Sequence, residues 1–230
     1  MTDLRYAIYA VPVAGHPSWM LAADWLGRDP EGGAVAAGAR PDWLSAERWQ
    51  DVTADARHYG FHGTMKPPFA LHERRDGADL DASIATFAAS QPPLAPVPLA
   101  IGALSGFLAL LPEGPHAELL ALADRCVEWF DAFRAPSGEA ELARRRQAGL
   151  TPVQEAHLVR WGYPYVFDQF RFHMTLTARL AAPERDRIRD WLARRFAGTL
   201  AEKVPLELAL FRQESRHLPF DLIRRYPLGS

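Results

Sequence analysis

The sequence predicts an α+β fold of two pseudo-symmetric lobes, each an antiparallel sheet with helices, and an active-site groove between them. Three observations carry that prediction. Phe61-His62-Gly63-Thr64-Met65 and Phe172-His173-Met174-Thr175-Leu176 spell the same order of aromatic, His, spacer, Thr and apolar residue. After each motif strand the chain repeats one order of elements: helix, strand, strand. Val97-Pro98-Leu99 and Val204-Pro205-Leu206 then recur at nearly the offset that separates the two histidines, the trace that a duplicated unit leaves. Strands covered by helices on one face form an α+β layer, and two such layers about a pseudo-two-fold axis would bring the motif strands together across a groove.

Each element has a local reason. Arg5 to Val13 is rich in β-branched and aromatic residues and reads as a strand closed by Pro12. Ser18 caps a helix over Trp19 to Leu26, which Gly27 ends. Asp29 to Gly38 holds Pro30, Gly32 and Gly33 and reads as a loop; Pro41 to about Ala56 reads as a helix. Tyr59 to Thr64 is the first motif strand, broken by Pro67-Pro68 before Phe69 to Leu71. Leu80, Ile84, Phe87 and Ala88 repeat at helical spacing within Asp79 to Ser90. Val97 to Leu104 and Phe107 to Leu111 flank Ser105-Gly106, a hairpin signal.

A helical insertion follows. Pro115 to Phe133 reads as one helix, Gly138 to Ala148 as a charged one, and Thr151-Pro152 starts a third that ends near Trp161. Phe170 to Thr177 is the second motif strand, Pro183 to Phe196 a helix, and Val204 to Phe211 and Leu218 to Tyr226 the last strands. The chain thus reads as a single bilobal domain over 1–230: a first lobe centred on 58–112, the insertion at about 115–161, and a second lobe at about 166–227. The insertion is left open between a lid, an extension of a lobe and a dimer contact.

Composition narrows the function classes. At 230 residues, 48% hydrophobic and 23% charged, the chain can bury a core without disulfide or metal staples. With 26 basic and 28 acidic residues the net charge is −2, so any phosphate must be bound by a local pocket rather than by a global field. The single Cys126 lies in an apolar helical run and reads as a buried thiol. Met1-Thr2-Asp3-Leu4-Arg5 is not a leader and no long apolar run occurs, so the protein reads as cytoplasmic, with no membrane partner.

The motifs carry the chemistry. Side chains alternate faces along a strand, so His62 and Thr64 share one face, as do His173 and Thr175. Two imidazoles with ordinary pKa values of about 6.5 suit a base and an acid working in one turnover. Two threonine hydroxyls donate hydrogen bonds without adding charge, as a phosphodiester anion requires. Lys66 shares the face of His62 and Thr64 if extension continues, and Arg171 shares that of His173; each would add positive charge for a phosphate. Tyr163, in the loop before the second motif, and Tyr9 are weaker candidates for binding substrate.

Paired His-x-Thr-apolar motifs in such a fold resemble the two-histidine (2H) phosphoesterase superfamily. Arg5-Tyr6-Ala7-Ile8-Tyr9, Trp25-Leu26-Gly27-Arg28-Asp29, Tyr59-Gly60-Phe61-His62-Gly63-Thr64, Trp161-Gly162-Tyr163-Pro164-Tyr165 and Phe170 to Thr177 are similar to a branch of it associated with phosphonate metabolism. The resemblance covers essentially the whole chain. It implies a metal-independent phosphodiesterase that opens a cyclic phosphate, with His62 and His173 as acid and base and Thr64 and Thr175 holding the phosphate. It implies no cofactor and a small phosphorylated substrate, such as 5-phosphoribosyl 1,2-cyclic phosphate, whose additional phosphate would occupy Lys66 or Arg171.

The alternatives are a 2′,3′-cyclic nucleotide or RNA-end phosphodiesterase, and a non-catalytic binder of a phosphorylated ligand or RNA in the same groove. Near-neutral charge disfavours RNA. His16, His58, His72, His116, His157 and His217 read as satisfied structural residues, and no zinc-ligand spacing or glycine-rich phosphate loop is present. The Arg144-Arg145-Arg146 run reads as a solvated helix face. No oligomeric state is implied.

Overall fold

The computed structural model describes residues 4–35 and 39–229. Met1-Thr2-Asp3 and the Gly38 end of the first loop lie outside them. Seven strands form one continuous antiparallel sheet in the order β3-β4-β5-β2-β1-β6-β7. They are β1 (Arg5–Pro12), β2 (Gly63–Phe69), β3 (Leu99–Leu104), β4 (Phe107–Pro112), β5 (Met174–Thr175), β6 (Leu206–Gln213) and β7 (Asp221–Tyr226). Among the described residues, seven α-helices accompany them: α1 (Pro17–Leu26), α2 (Ala46–Tyr59), α3 (Gly77–Ser90), α4 (Ala117–Trp129), α5 (Glu139–Arg146), α6 (Pro152–Trp161) and α7 (Ala182–Phe196). The α+β class is therefore as expected. Instead of two sheets facing across a groove, the motif strands β2 and β5 are neighbours in the middle of one sheet, with Gly63 opposite Met174.

Local chemistry sets most boundaries. Ser45 rather than the Pro41 region starts α2, its hydroxyl accepting from Arg48 N at 3.1 Å. At α1 the imidazole of His16 caps, accepting from Ser18 N, and Gly27 ends the helix in the left-handed region at φ 69°. Asp76 and Asp79 close a capping box on α3; Thr151 and Gln154 close one on α6. The β3–β4 hairpin turns on Ser105 and Gly106, both at positive φ. The helix predicted to Phe133 tightens after Trp129 into a 3₁₀ turn over Phe130–Phe133.

The largest departure is at the second motif, where only Met174 and Thr175 pair as a strand. The chain beyond is held by other donors and acceptors. Leu176 N and Thr177 N both donate to Leu108 O, Trp25 Nε1 donates to Leu176 O at 2.8 Å, and Ala178 N donates to Val52 O. These bonds satisfy the backbone that a longer ladder would have satisfied.

One core unites both halves of the sheet, with β1 and β6 buried along nearly their whole length. Trp25 of α1 packs against Trp191 of α7, and Phe87 of α3 against Phe130 after α4. Cys126 is fully buried, as expected, and burial pushes its thiol up. Among the described residues, no helix is long and apolar enough to cross a membrane.

Candidate active site

Each motif histidine stands one residue before its strand, and both imidazoles are tied identically. His62 Nδ1 is 2.9 Å from Gly60 O, and His173 Nδ1 is 2.7 Å from Arg171 O. A carbonyl only accepts, so Nδ1 carries the proton in both rings and Nε2 carries the lone pair. Thr64 Oγ1 lies 3.2 Å from His62 Nε2 and donates to it. The flanking residues anchor this geometry: Phe61, Met65, Phe172 and Leu176 are buried, while the histidines and threonines are half-buried.

Gly63 lets the two motifs approach. A Cβ there would stand 2.4 Å from ring carbons of Phe172, so only glycine admits that ring against β2. Tyr9 of β1 stacks on His62 with ring centroids 3.6 Å apart and 18° between planes, fixing the imidazole orientation. Burial pushes His62 down to about 4, against the raising effect of the Gly60 carbonyl and with the help of the nearby His173 charge. Burial also lowers His173, partly offset by its bond to Arg171 O. Both rings are therefore poised neutral.

Two adjoining cavities open here. The smaller, of about 280 Å³, is lined by His62, Thr64 and Thr175 with Arg5, Tyr9 and Arg145 among the remainder. The larger, of about 520 Å³, contains His173 and Arg171, with Phe107, Phe167 and Arg179 on its wall. Thr64, Pro67 and Tyr163 belong to both. Thus His62, His173, Thr64, Thr175, Arg171 and Tyr163 come together around one composite groove.

Lys66 does not join them. Thr64 pairs with Tyr9 but Lys66 pairs with Ile8, so Met65 is an extra residue in β2. Such a bulge breaks the alternation. Directly paired residues share a face, and Ile8 faces opposite to Tyr9; Lys66 is therefore turned away from Thr64. Its ammonium is buried, donating to Val127 O at 2.9 Å and lying 3.3 Å from Asp131.

Sequence reasoning missed Arg5, Arg145 and Tyr59 at the groove and ranked Tyr9 low. The insertion supplies Arg144 and Arg145, and the loop after it Tyr163, to the smaller cavity. The arginine run is thus only partly a solvated face: Arg145 packs over Tyr163, its guanidinium carbon 4.9 Å from the ring centroid, while Arg146 pairs outward with Glu155. A signal existed in the alternation of Arg5, Ala7 and Tyr9 on one face of β1. Among the other histidines, His58 accepts from Gln213 Nε2 at 2.9 Å and His116 donates to Gly114 O, as structural residues do. Among the described residues no three His, Cys, Asp or Glu side chains cluster to hold a metal.

Fold and site define an α+β protein with a His-x-Thr pair from each of two adjacent strands of one antiparallel sheet. The chain belongs to the family described as "Protein of unknown function (DUF1045)", whose model matches residues 64–221. It is also similar to the ribose 1,5-bisphosphate phosphokinase PhnN of Janthinobacterium sp. (strain Marseille), at 40% identity over 232 residues, covering 98% of this chain and 51% of that protein. The protein of the same name from Laribacter hongkongensis (strain HLHK9) is 36% identical over 226 residues, covering 96% of this chain and 51% of its own length. The chain therefore spans about half the length of these curated relatives.

Their name overturns the expected activity. A phosphokinase transfers a phosphoryl group, so the expectation of a phosphodiesterase opening a cyclic phosphate is corrected. The reason is chemical. Paired imidazoles and hydroxyls specify where protons move and where an anion sits, but not which bond to phosphorus breaks.

Proposed function

We propose that this chain is an enzyme component of phosphonate metabolism that takes a phosphorylated pentose, of the class of ribose 1,5-bisphosphate, into the composite groove. His62 and His173 move protons at its phosphoryl group, and Thr64 and Thr175 hold the phosphoryl oxygens. The observation that carries this reading is the matched pair of imidazoles, each with Nδ1–H held by a carbonyl so that Nε2 carries the lone pair. The relatives' name supports the substrate class. Arg171 and Tyr163 line the His173 side, where they would orient the sugar phosphate.

Burial lowers both imidazoles, His62 to about 4, so each presents a neutral Nε2 to the phosphoryl group. His173, closer to solvent, takes up a solvent proton when a phosphate dianion arrives and then donates its Nε2–H to a phosphoryl oxygen.

The two-histidine architecture belongs to the same proposal, with 1–230 as one bilobal unit of lobes about 58–112 and 166–227 and an insertion at about 115–161. Two pairings support it. Gly63 faces Met174, and Val97 and Val204 exchange reciprocal backbone hydrogen bonds of 2.9 and 2.8 Å. Each joins positions that are equivalent in the two motif units.

The test is calorimetric titration with ribose 1,5-bisphosphate, and ³¹P NMR of that sugar with and without ATP. Saturable binding is expected, with turnover lowered on the order of 100-fold in both H62A and H173A. No binding, or turnover untouched by both substitutions, would refute the reading.

A further inference from the structure

The smaller cavity holds more positive charge than one phosphoryl group at His62 and Thr64 requires. Arg5 of β1 and Arg144 and Arg145 of α5 line it, with no Asp or Glu among its lining residues. Glu141 stands behind the arginines of α5 and is shared by Arg144, Arg145 and Arg216, so several guanidiniums answer one carboxylate. Arg5 is held in place by the neutral amide oxygen of Gln213, which orients its fork without cancelling its charge.

Two buried polar atoms on this wall lack partners. The Tyr9 hydroxyl belongs to a fully buried side chain and has no hydrogen-bond partner; neither does Arg145 Nε. Buried donors are nearly always satisfied, and leaving one unmade is costly. Both atoms belong to residues lining the same cavity, where a ligand oxygen would supply the missing acceptor.

We propose that the smaller cavity contains a second anion subsite, which takes a phosphate monoester through Arg145, Arg5 and the Tyr9 hydroxyl while the reacting phosphoryl group sits between the His-Thr pairs. The inference rests on the phosphopentose reading and sharpens it: the preferred ligand is a pentose carrying two phosphoryl groups. It also moves the second-phosphate role from Lys66 to residues of β1 and the insertion. A planar guanidinium suits a dianionic phosphate, which it meets with two parallel N–H donors. The insertion then serves recognition, since Arg145 of α5 is held at the cavity with its guanidinium over the Tyr163 ring.

The experiment is titration calorimetry at fixed ionic strength, with ribose 1,5-bisphosphate, ribose 1-phosphate and ribose 5-phosphate against the whole chain and its R145Q, R5Q and Y9F variants. The wild-type chain is expected to prefer the bisphosphate to either monophosphate by about tenfold or more. R145Q should weaken the bisphosphate on the order of 10- to 100-fold and leave one monophosphate unchanged. Y9F preserves the ring stacked on His62 and removes only the hydroxyl, so it carries the test if either arginine variant melts early; a loss of about three- to tenfold is expected. If the whole chain binds none of the three sugars, the phosphopentose reading falls and the subsite with it. If it binds them, and the bisphosphate affinity is the same in folded R145Q, R5Q and Y9F, the subsite alone is overturned.

Discussion

Replacing Lys66 by Met tests both the bulge in β2 and the electrostatics behind it. Lys66 is 1% exposed, and burial lowers its ammonium from about 10.5 to about 8 despite the attraction of Asp131. The folded state therefore resists charging Lys66, and at neutral pH, below both values, the whole of that cost is present. At 1.36 kcal/mol per tenfold change in proton affinity the cost is about 3 kcal/mol. Between pH 8 and 10.5 the unfolded chain holds more protons than the folded one, so stability rises with pH across that window and the cost is gone above it. Methionine has similar length and no charge. Asp131 is not stranded by the change, because Arg134 Nε stays 2.8 Å and Arg160 Nη1 3.1 Å away. K66M should accordingly be more stable than wild type at pH 7 by about 1–3 kcal/mol, the usual sign when a buried charge gives way to a packed apolar group. Urea unfolding at pH 7, 8, 9 and 10.5 measures it, and the advantage should shrink across the last three. A K66M protein less stable than wild type at pH 7, or a difference that does not vary with pH, would refute the reasoning. Since Lys66 faces away from Thr64, its binding of ribose 1,5-bisphosphate should also stay within about twofold of wild type.

Three further outcomes are expected. The His62 ring proton should titrate near pH 4 by NMR, with no inflection between pH 6 and 8; because the unfolded chain protonates first, stability should fall as pH drops from 6.5 toward 4. G63A should lose about 1–3 kcal/mol in urea unfolding, since its Cβ overlaps the buried Phe172 ring, and an unchanged midpoint would deny that close approach. T177V should lose about 1–3 kcal/mol, because Thr177 Oγ1 accepts from Leu108 N and donates to Ala178 O in place of a strand ladder; a calorimetric melt at the wild-type temperature would count against it.

That His62, Thr64, His173 and Thr175 line one groove was legible because a strand's period of two makes His-x-Thr a statement about one face. The same period misplaced Lys66. Alternation survives only while neighbouring strands stay in register, and between Thr64 and Phe69 the partner strand β1 advances fewer residues than β2 does. The prolines at 67 and 68, lacking N–H donors, mark that segment as irregular but do not reveal which face Lys66 takes.

Local sequence determined what is local: the α+β class, the hairpin at Ser105-Gly106, the Thr151 helix start, and the paired motifs themselves. These depend on φ/ψ preference, capping and periodicity within a few residues. Tertiary structure decided that the motif strands lie side by side in one sheet. It also gathered Arg5, Tyr9 and Arg145 beside His62, and sent Lys66 to the opposite face. Those outcomes depend on strand register and on packing between segments far apart in the chain, which no window of residues encodes by itself.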